Sequence, residues 1–292
     1  MSTKTLASSL LALTLASPAL AAPPAWEVTD ADSRVVLFPT IHVLPEAVEW
    51  KTDALEAEIE AAGEVWFEIA DATSPEALAT IQALVAEHGM SPDMPLSSRL
   101  SPEQLDTLKA TLAELGAPLE AIDPMRPWMA ATALTAASLA QSGFSGDNGV
   151  ETVLGEVYAD RPTRGLETAD AQIALLANMA GRDQLSFLMS ALESLEEAGP
   201  TLLRVADAWA DGDVESIETE LLAGMRRDYP DVFDAVFTDR NRAWADIIDA
   251  ELKGSGTDFI AVGAGHLVGE DSVQDFLEGK GYTVRRIDLS DD

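Results

Sequence analysis

Phe259-Ile260-Ala261-Val262-Gly263-Ala264-Gly265-His266-Leu267 runs from four apolar residues through two glycines to one of only three histidines in the chain. Apolar strand, glycine turn and reactive side chain, in that order, is how a parallel α/β sheet delivers chemistry to its carboxyl edge. The same order occurs near the N-terminus, where Val35-Val36-Leu37-Phe38 leads into Pro39-Thr40-Ile41-His42. Each segment is followed by a predicted helix and a second strand. After His42 these are a helix over 52–62, with Leu55 and Ile59 four apart, and a strand over 64–69. After His266 they are a helix over 271–278 and a strand over 282–287. Together they predict an α/β fold whose central sheet is mixed and partly parallel. The sheet is built from two βαβ-like halves that carry both histidines on one edge.

Before the first unit, 26–29 and 34–38 are β-prone runs joined by Asp30-Ala31-Asp32-Ser33, which reads as a hairpin. Between the units, from about 72 to 252, the chain reads as a large helical insertion. Ser74-Pro75-Glu76 starts one helix and Ser101-Pro102-Glu103-Gln104, a capping box, starts another. Residues 126–139 and 150–158 read as further helices and 162–167 as a short strand. Thr168 caps the helices that run on to about Leu252. With no interdomain linker, residues 22–292 read as a single domain.

Residues 1–21 read as a secretory leader: Lys4, an apolar stretch over 6–15, and Ala19-Leu20-Ala21 as an A-x-A cleavage site. The apolar stretch is too short for a permanent anchor, so the expectation is an exported, periplasmic or secreted protein with no stable membrane insertion after cleavage. Asp and Glu number 51 against 18 Lys and Arg, a formal net charge of −33. Such a surface repels nucleic acid and anionic lipid and attracts divalent cations weakly. The absence of cysteine excludes disulfides, thiolate metal sites and a cysteine nucleophile. Any metal site must use His, Asp and Glu.

His42 and His266 are the leading candidates, since neutral imidazole serves as metal ligand or general base near pH 7. Glu68 is a carboxylate inside an apolar strand, where burial demands a cation, a metal or strong donors. Glu167, after Gly165-Leu166, invites the same reading. Arg240 and Asn241 lie in a chain poor in cations, where an arginine neutralises buried carboxylates or stabilises an oxyanion. His88 reads as structural, complementing the dipole at the end of its helix. G-x-S-x-G, H-E-x-x-H, the P-loop and G-x-G-x-x-G are all missing.

Thr40-Ile41-His42 with Leu44-Pro45, Glu68, Arg126-Pro127-Trp128, Gly165-Leu166-Glu167-Thr168 with Gln172, Asp239-Arg240-Asn241, and Gly263-Ala264-Gly265-His266-Leu267 with Gly269 resemble the TraB/PrgY/GumN family. The bacterial GumN-like branch is the most similar in style, and the animal Tiki proteins belong to the same superfamily. The resemblance implies two G-x-x-H motifs, a glutamate at Glu68 and an arginine at Arg240. It implies an α/β fold related to erythromycin esterase and the haem-binding ChaN proteins. It also implies a metal-dependent peptidase, as described for Tiki, or a role in clearing or masking peptide signals, as for PrgY. The first motif departs from the pattern, with Pro39 where glycine is expected, so a turn needing positive φ or an N–H there cannot form unchanged.

The leading expectation is therefore an exported metallohydrolase acting on peptides or proteins. His42, His266 and Glu68 would hold Mn, Co or Zn, Arg240 and Asn241 would support them, and Glu68 or Glu167 would be the base. Two alternatives stand beside it: metal-independent hydrolysis of esterase type, and a non-catalytic periplasmic protein that binds peptide, haem or metal. The sequence sets no oligomeric state.

Overall fold

A computed structural model describes residues 21–72, 74–179 and 181–291. The leader expected over 1–21 lies, up to residue 20, outside the described residues. Six strands form one sheet: β1 (Ala25–Thr29), β2 (Ser33–Thr40), β3 (Glu64–Ile69), β4 (Thr163–Glu167), β5 (Gly256–Gly263) and β6 (Thr283–Ile287). Their spatial order is β4-β3-β5-β2-β1-β6. β4, β3, β5 and β2 are parallel, whereas β1 is antiparallel to both β2 and β6. The hairpin turn closes on the Asp30 carboxylate, whose Oδ1 accepts from the backbone N–H of Asp32 and Ser33 at 3.1 and 2.9 Å.

The two predicted βαβ units are present, but they interleave. β5 lies between β2 and β3, and β2 and β1 lie between β5 and β6. This places the two histidine-bearing strands side by side. Thr40 pairs with Gly263 in register, so both chains leave the sheet at the same level. Phe67 pairs with Ala261, and Ile69 with Glu167. Four parallel strands thus end along one edge and bring His42, Glu68, Glu167 and His266 to it.

Why β2 and β5 read as continuous apolar runs follows from their side-chain alternation. Val36, Phe38, Phe259 and Ala261 face one core with Trp50 and Trp209. Val35, Leu37, Ile260 and Val262 face the other with Trp244, Ile248 and Leu277. The insertion supplies a further core of its own around Leu108, Leu112, Leu134 and Leu188. Its helices start where their caps predict. Ser74 caps Pro75–His88, and Ser101 with Gln104 closes a capping box on Pro102–Leu115. The helix expected from residue 271 starts later, at Val273, because Asp271 is left-handed (φ 59°) and Ser272 is the cap. No described helix is long and apolar enough to cross a membrane.

Candidate active site

Arg240 is the hub of the site. It sits on Asp239–Leu252, directly after a π-helical turn, Asp234–Thr238. Its guanidinium stacks 4.6 Å from the Trp244 ring, and its side chain is only 10% exposed. All five of its N–H groups have partners. Nη2 donates to Glu68 Oε2 and Glu167 Oε1, both at 2.6 Å, and Nε to Glu167 Oε2 at 3.3 Å. Nη1 donates to the Val236 carbonyl at 3.1 Å and faces His266 Nε2 at 3.0 Å. Gln172 Nε2 bridges the two carboxylates, at 3.1 Å from Glu68 and 2.9 Å from Glu167. In this arrangement Arg240 neutralises the two carboxylates, and no donor is left over.

His266 is 3% exposed, with its ring centroid 4.3 Å from that of Trp244. Its Nδ1 lies 2.5 Å from Asn241 Oδ1, and an amide oxygen only accepts, so Nδ1 carries the proton. Nε2 is then the acceptor for Arg240. Burial, with the Arg240 charge behind it, lowers the His266 pKa to about 3. Asn241 is itself anchored through Nδ2 to the Asp271 carbonyl at 2.7 Å.

Glu68 is buried, which by itself would raise its pKa; the positive charges around it and the Gly263 N–H, 2.9 Å from Oε1, bring it down to about 2. With His266 neutral, the lasting contributors are Arg240, His42 while it is protonated, and that amide. Glu68 is therefore a fixed anion and a weak base. Gly263 is needed for proximity and not for backbone freedom. Its φ is −49°, yet a Cβ there would lie 3.0 Å from Glu68 Oε1 and 3.5 Å from His42 Nε2. Pro39, in the first motif, lies on β2 opposite Val262. The proline carbonyl accepts from Trp209 Nε1 at 2.9 Å, beyond the last residue of β2 that pairs with β1. The loop still delivers His42.

His42 Nδ1 lies 2.7 Å from Glu151 Oε1, and the histidine side chain is 66% exposed. Thr40 Oγ1 donates to the same carboxylate oxygen. The Glu151 charge raises the His42 pKa, against the effect of burial, to about 9. Water reaching the open ring screens part of that attraction. Glu151 was not among the sequence candidates. It lies in the first turn of the helix Val150–Val157, and no local motif links it to His42. Backbone bonds seat the two loops together: Leu44 and Ser145 exchange bonds at 3.2 and 3.1 Å, and Val150 donates to the Ile41 carbonyl at 3.1 Å. The one sequence trace of this contact is Gly149, where a Cβ would stand 2.1 Å from the His42 carbonyl oxygen.

The expected metal ligands His42, His266 and Glu68 are neighbours, with His266 Nε2 3.9 Å from Glu68 Oε1, but two of their ligand atoms have other partners. His266 Nε2 faces the Arg240 guanidinium, and Glu68 Oε2 is taken by Arg240 and Gln172. Among the described residues no group of three or more His, Asp or Glu is arranged to hold an ion. A cation bound to these three would stand beside the Arg240 guanidinium, whose charge opposes it. His88 ends its helix and is not among the residues lining the cavities at the site.

Two cavities of about 480 and 430 Å³ meet at His42, Glu68 and Gln172. No curated protein and no solved structure matches the chain. The sequence model of the TraB/PrgY/gumN family matches residues 24–286, nearly the whole length, and with those residues spanning all four strand ends that build the site, the chain belongs to the TraB/PrgY/gumN family.

Proposed function

We propose that the protein is an exported hydrolase that cleaves an ester or amide bond, with His42 as general base. The observation that carries this reading is the His42–Glu151 pair: one ring nitrogen held by a carboxylate at 2.7 Å, the ring open to the cavity. In the neutral ring Glu151 keeps the proton on Nδ1, which leaves Nε2 free to take a proton from water. Glu68, anionic at working pH, accepts a hydrogen bond from that water and orients it. Arg240, Gln172 and Asn241 act through others, holding Glu68, Glu167 and His266 in place. Peptides or proteins are the expected substrates, and the leader pattern supports a periplasmic or secreted location.

The test is turnover of chromogenic esters and anilides by the purified chain after dialysis against a chelator. His42→Ala should reduce the rate by roughly 10²–10⁴-fold, the range of general-base catalysis. Undiminished turnover by that variant would sink the reading.

One observation favours the metal-dependent reading. A carboxylate on the far nitrogen of an imidazole is also how proteins orient a metal-binding histidine. That reading requires Arg240 to leave His266. Activity that vanishes on chelation and returns with Mn, Co or Zn would select it.

A further inference from the structure

The two cavities that meet at His42 have unlike linings, and their charges point to a substrate class. The outer lobe, on the β3–β4 side, is walled by Ile69 and Ile81 but carries Asp71, Ser74 and Thr163. Asp71 holds Thr163 Oγ1 at 2.6 Å from a left-handed backbone (φ 49°). The inner lobe, so named for lying on the Arg240–His266 side, is mostly hydrocarbon, with Leu175, Leu176, Leu202, Val205, Leu221 and Phe237 around it and the polar groups of the site at its floor. Neither lobe is lined by a lysine, and Arg240 is the one arginine among their described lining residues. Its five N–H groups are already committed, and the charge His42 takes up is countered by Glu151. A carboxylate or phosphate on a ligand would enter this cleft beside Glu68 and Glu151 and find no unpaired cation. An anion desolvated without a partner is strongly disfavoured. A branched aliphatic, aromatic or medium alkyl group, in contrast, gains the full transfer free energy on entering the inner lobe.

We infer that the site selects an uncharged carbonyl compound whose bulky hydrocarbon group fills the inner lobe, and that it rejects ligands carrying an anion next to the reacting carbonyl. This rests on the hydrolase reading for the word substrate, but the selectivity itself is a property of the cleft.

The test compares octanamide with octanoate, which share one alkyl chain and differ in charge, by calorimetric titration of the full mature chain. Octanamide should bind roughly tenfold or more tightly than octanoate, since only the anion lacks a partner. Leu176→Trp and Val205→Trp, made separately so that one misfolded variant does not end the test, should each fill the lobe and abolish octanamide binding. Equal or tighter binding of octanoate, no binding of octanamide, or unchanged binding by both folded variants overturns the inference. Octanamide binding as described, without turnover of any ester or amide, supports the inference while removing the hydrolase reading. His42-dependent turnover of p-nitrophenyl acetate, with octanamide and octanoate bound equally, overturns the inference alone.

Discussion

Two histidines from matching contexts end in opposite electrostatic states. His42 faces a carboxylate in an open cavity and is pushed up to about 9, while His266 is buried against a guanidinium and pushed down to about 3. Nuclear magnetic resonance of the imidazole protons should therefore show one histidine titrating well above 6.5 and one still neutral at pH 5. Replacing Glu151 with Gln removes the charge that favours the imidazolium, so the His42 midpoint should fall. Under the proposed mechanism only neutral His42 is a base. Activity should then rise with pH from about 6.5 to about 9 in the native chain, and Glu151→Gln should move that limb downward. An unmoved limb would remove His42 from the role of base. Arg240→Ala leaves two carboxylates, Glu68 and Glu167, facing each other without their cation. Breaking a buried ion network in this way costs about 3–5 kcal/mol, measurable by urea denaturation. Arg240→Lys keeps the charge but loses the fork that reaches both acids, so it should rescue only part of that loss.

At the scale of elements, the site depends on how loops seat against strand ends. Gly149 lets the turn before Val150–Val157 lie against the His42 backbone, with no room for a methyl group. Gly149→Ala should displace His42 from Glu151 and lower activity far more than global stability, so its rate and its melting temperature should part company. Ser101→Ala is the contrasting case. It removes a capping box distant from the site and should cost about 1 kcal/mol with activity unchanged.

The whole molecule carries a formal net charge of −33, so self-repulsion works against the compact state. Added monovalent salt shortens the range of that repulsion, and the melting temperature should rise with ionic strength. Acid acts through the buried groups. His266 has a folded pKa near 3 against an ordinary 6.5, so between these values the unfolded chain binds the extra proton and stability falls as pH falls. Glu68, at about 2 against 4.5, adds a loss in the same direction below 4.5. Relief of surface repulsion also begins as carboxylates protonate, which leaves pH 6.5 to 4.5 as the window belonging to His266. Urea midpoints should decline across that window in the native chain and stay flat in His266→Gln.

Much of this molecule is written locally. Strands 35–38 and 259–262 announce themselves because a strand covered on both faces must be apolar at every position, and Ser74, Ser101 and Thr168 mark helix starts because their side chains satisfy free N–H groups. Burial cost alone singles out Glu68, and scarcity of cations singles out Arg240. The order of the strands, by contrast, came only from the folded chain. Interleaving the two βαβ units depends on long-range pairing, and that pairing sets Thr40 level with Gly263. Tertiary structure likewise decided the contacts. It brought Glu151 to His42 across 109 residues of chain and turned Arg240 onto His266 Nε2. Residue type and spacing set which groups reach the sheet edge, whereas the proton each histidine keeps depends on the charges that close around it in space.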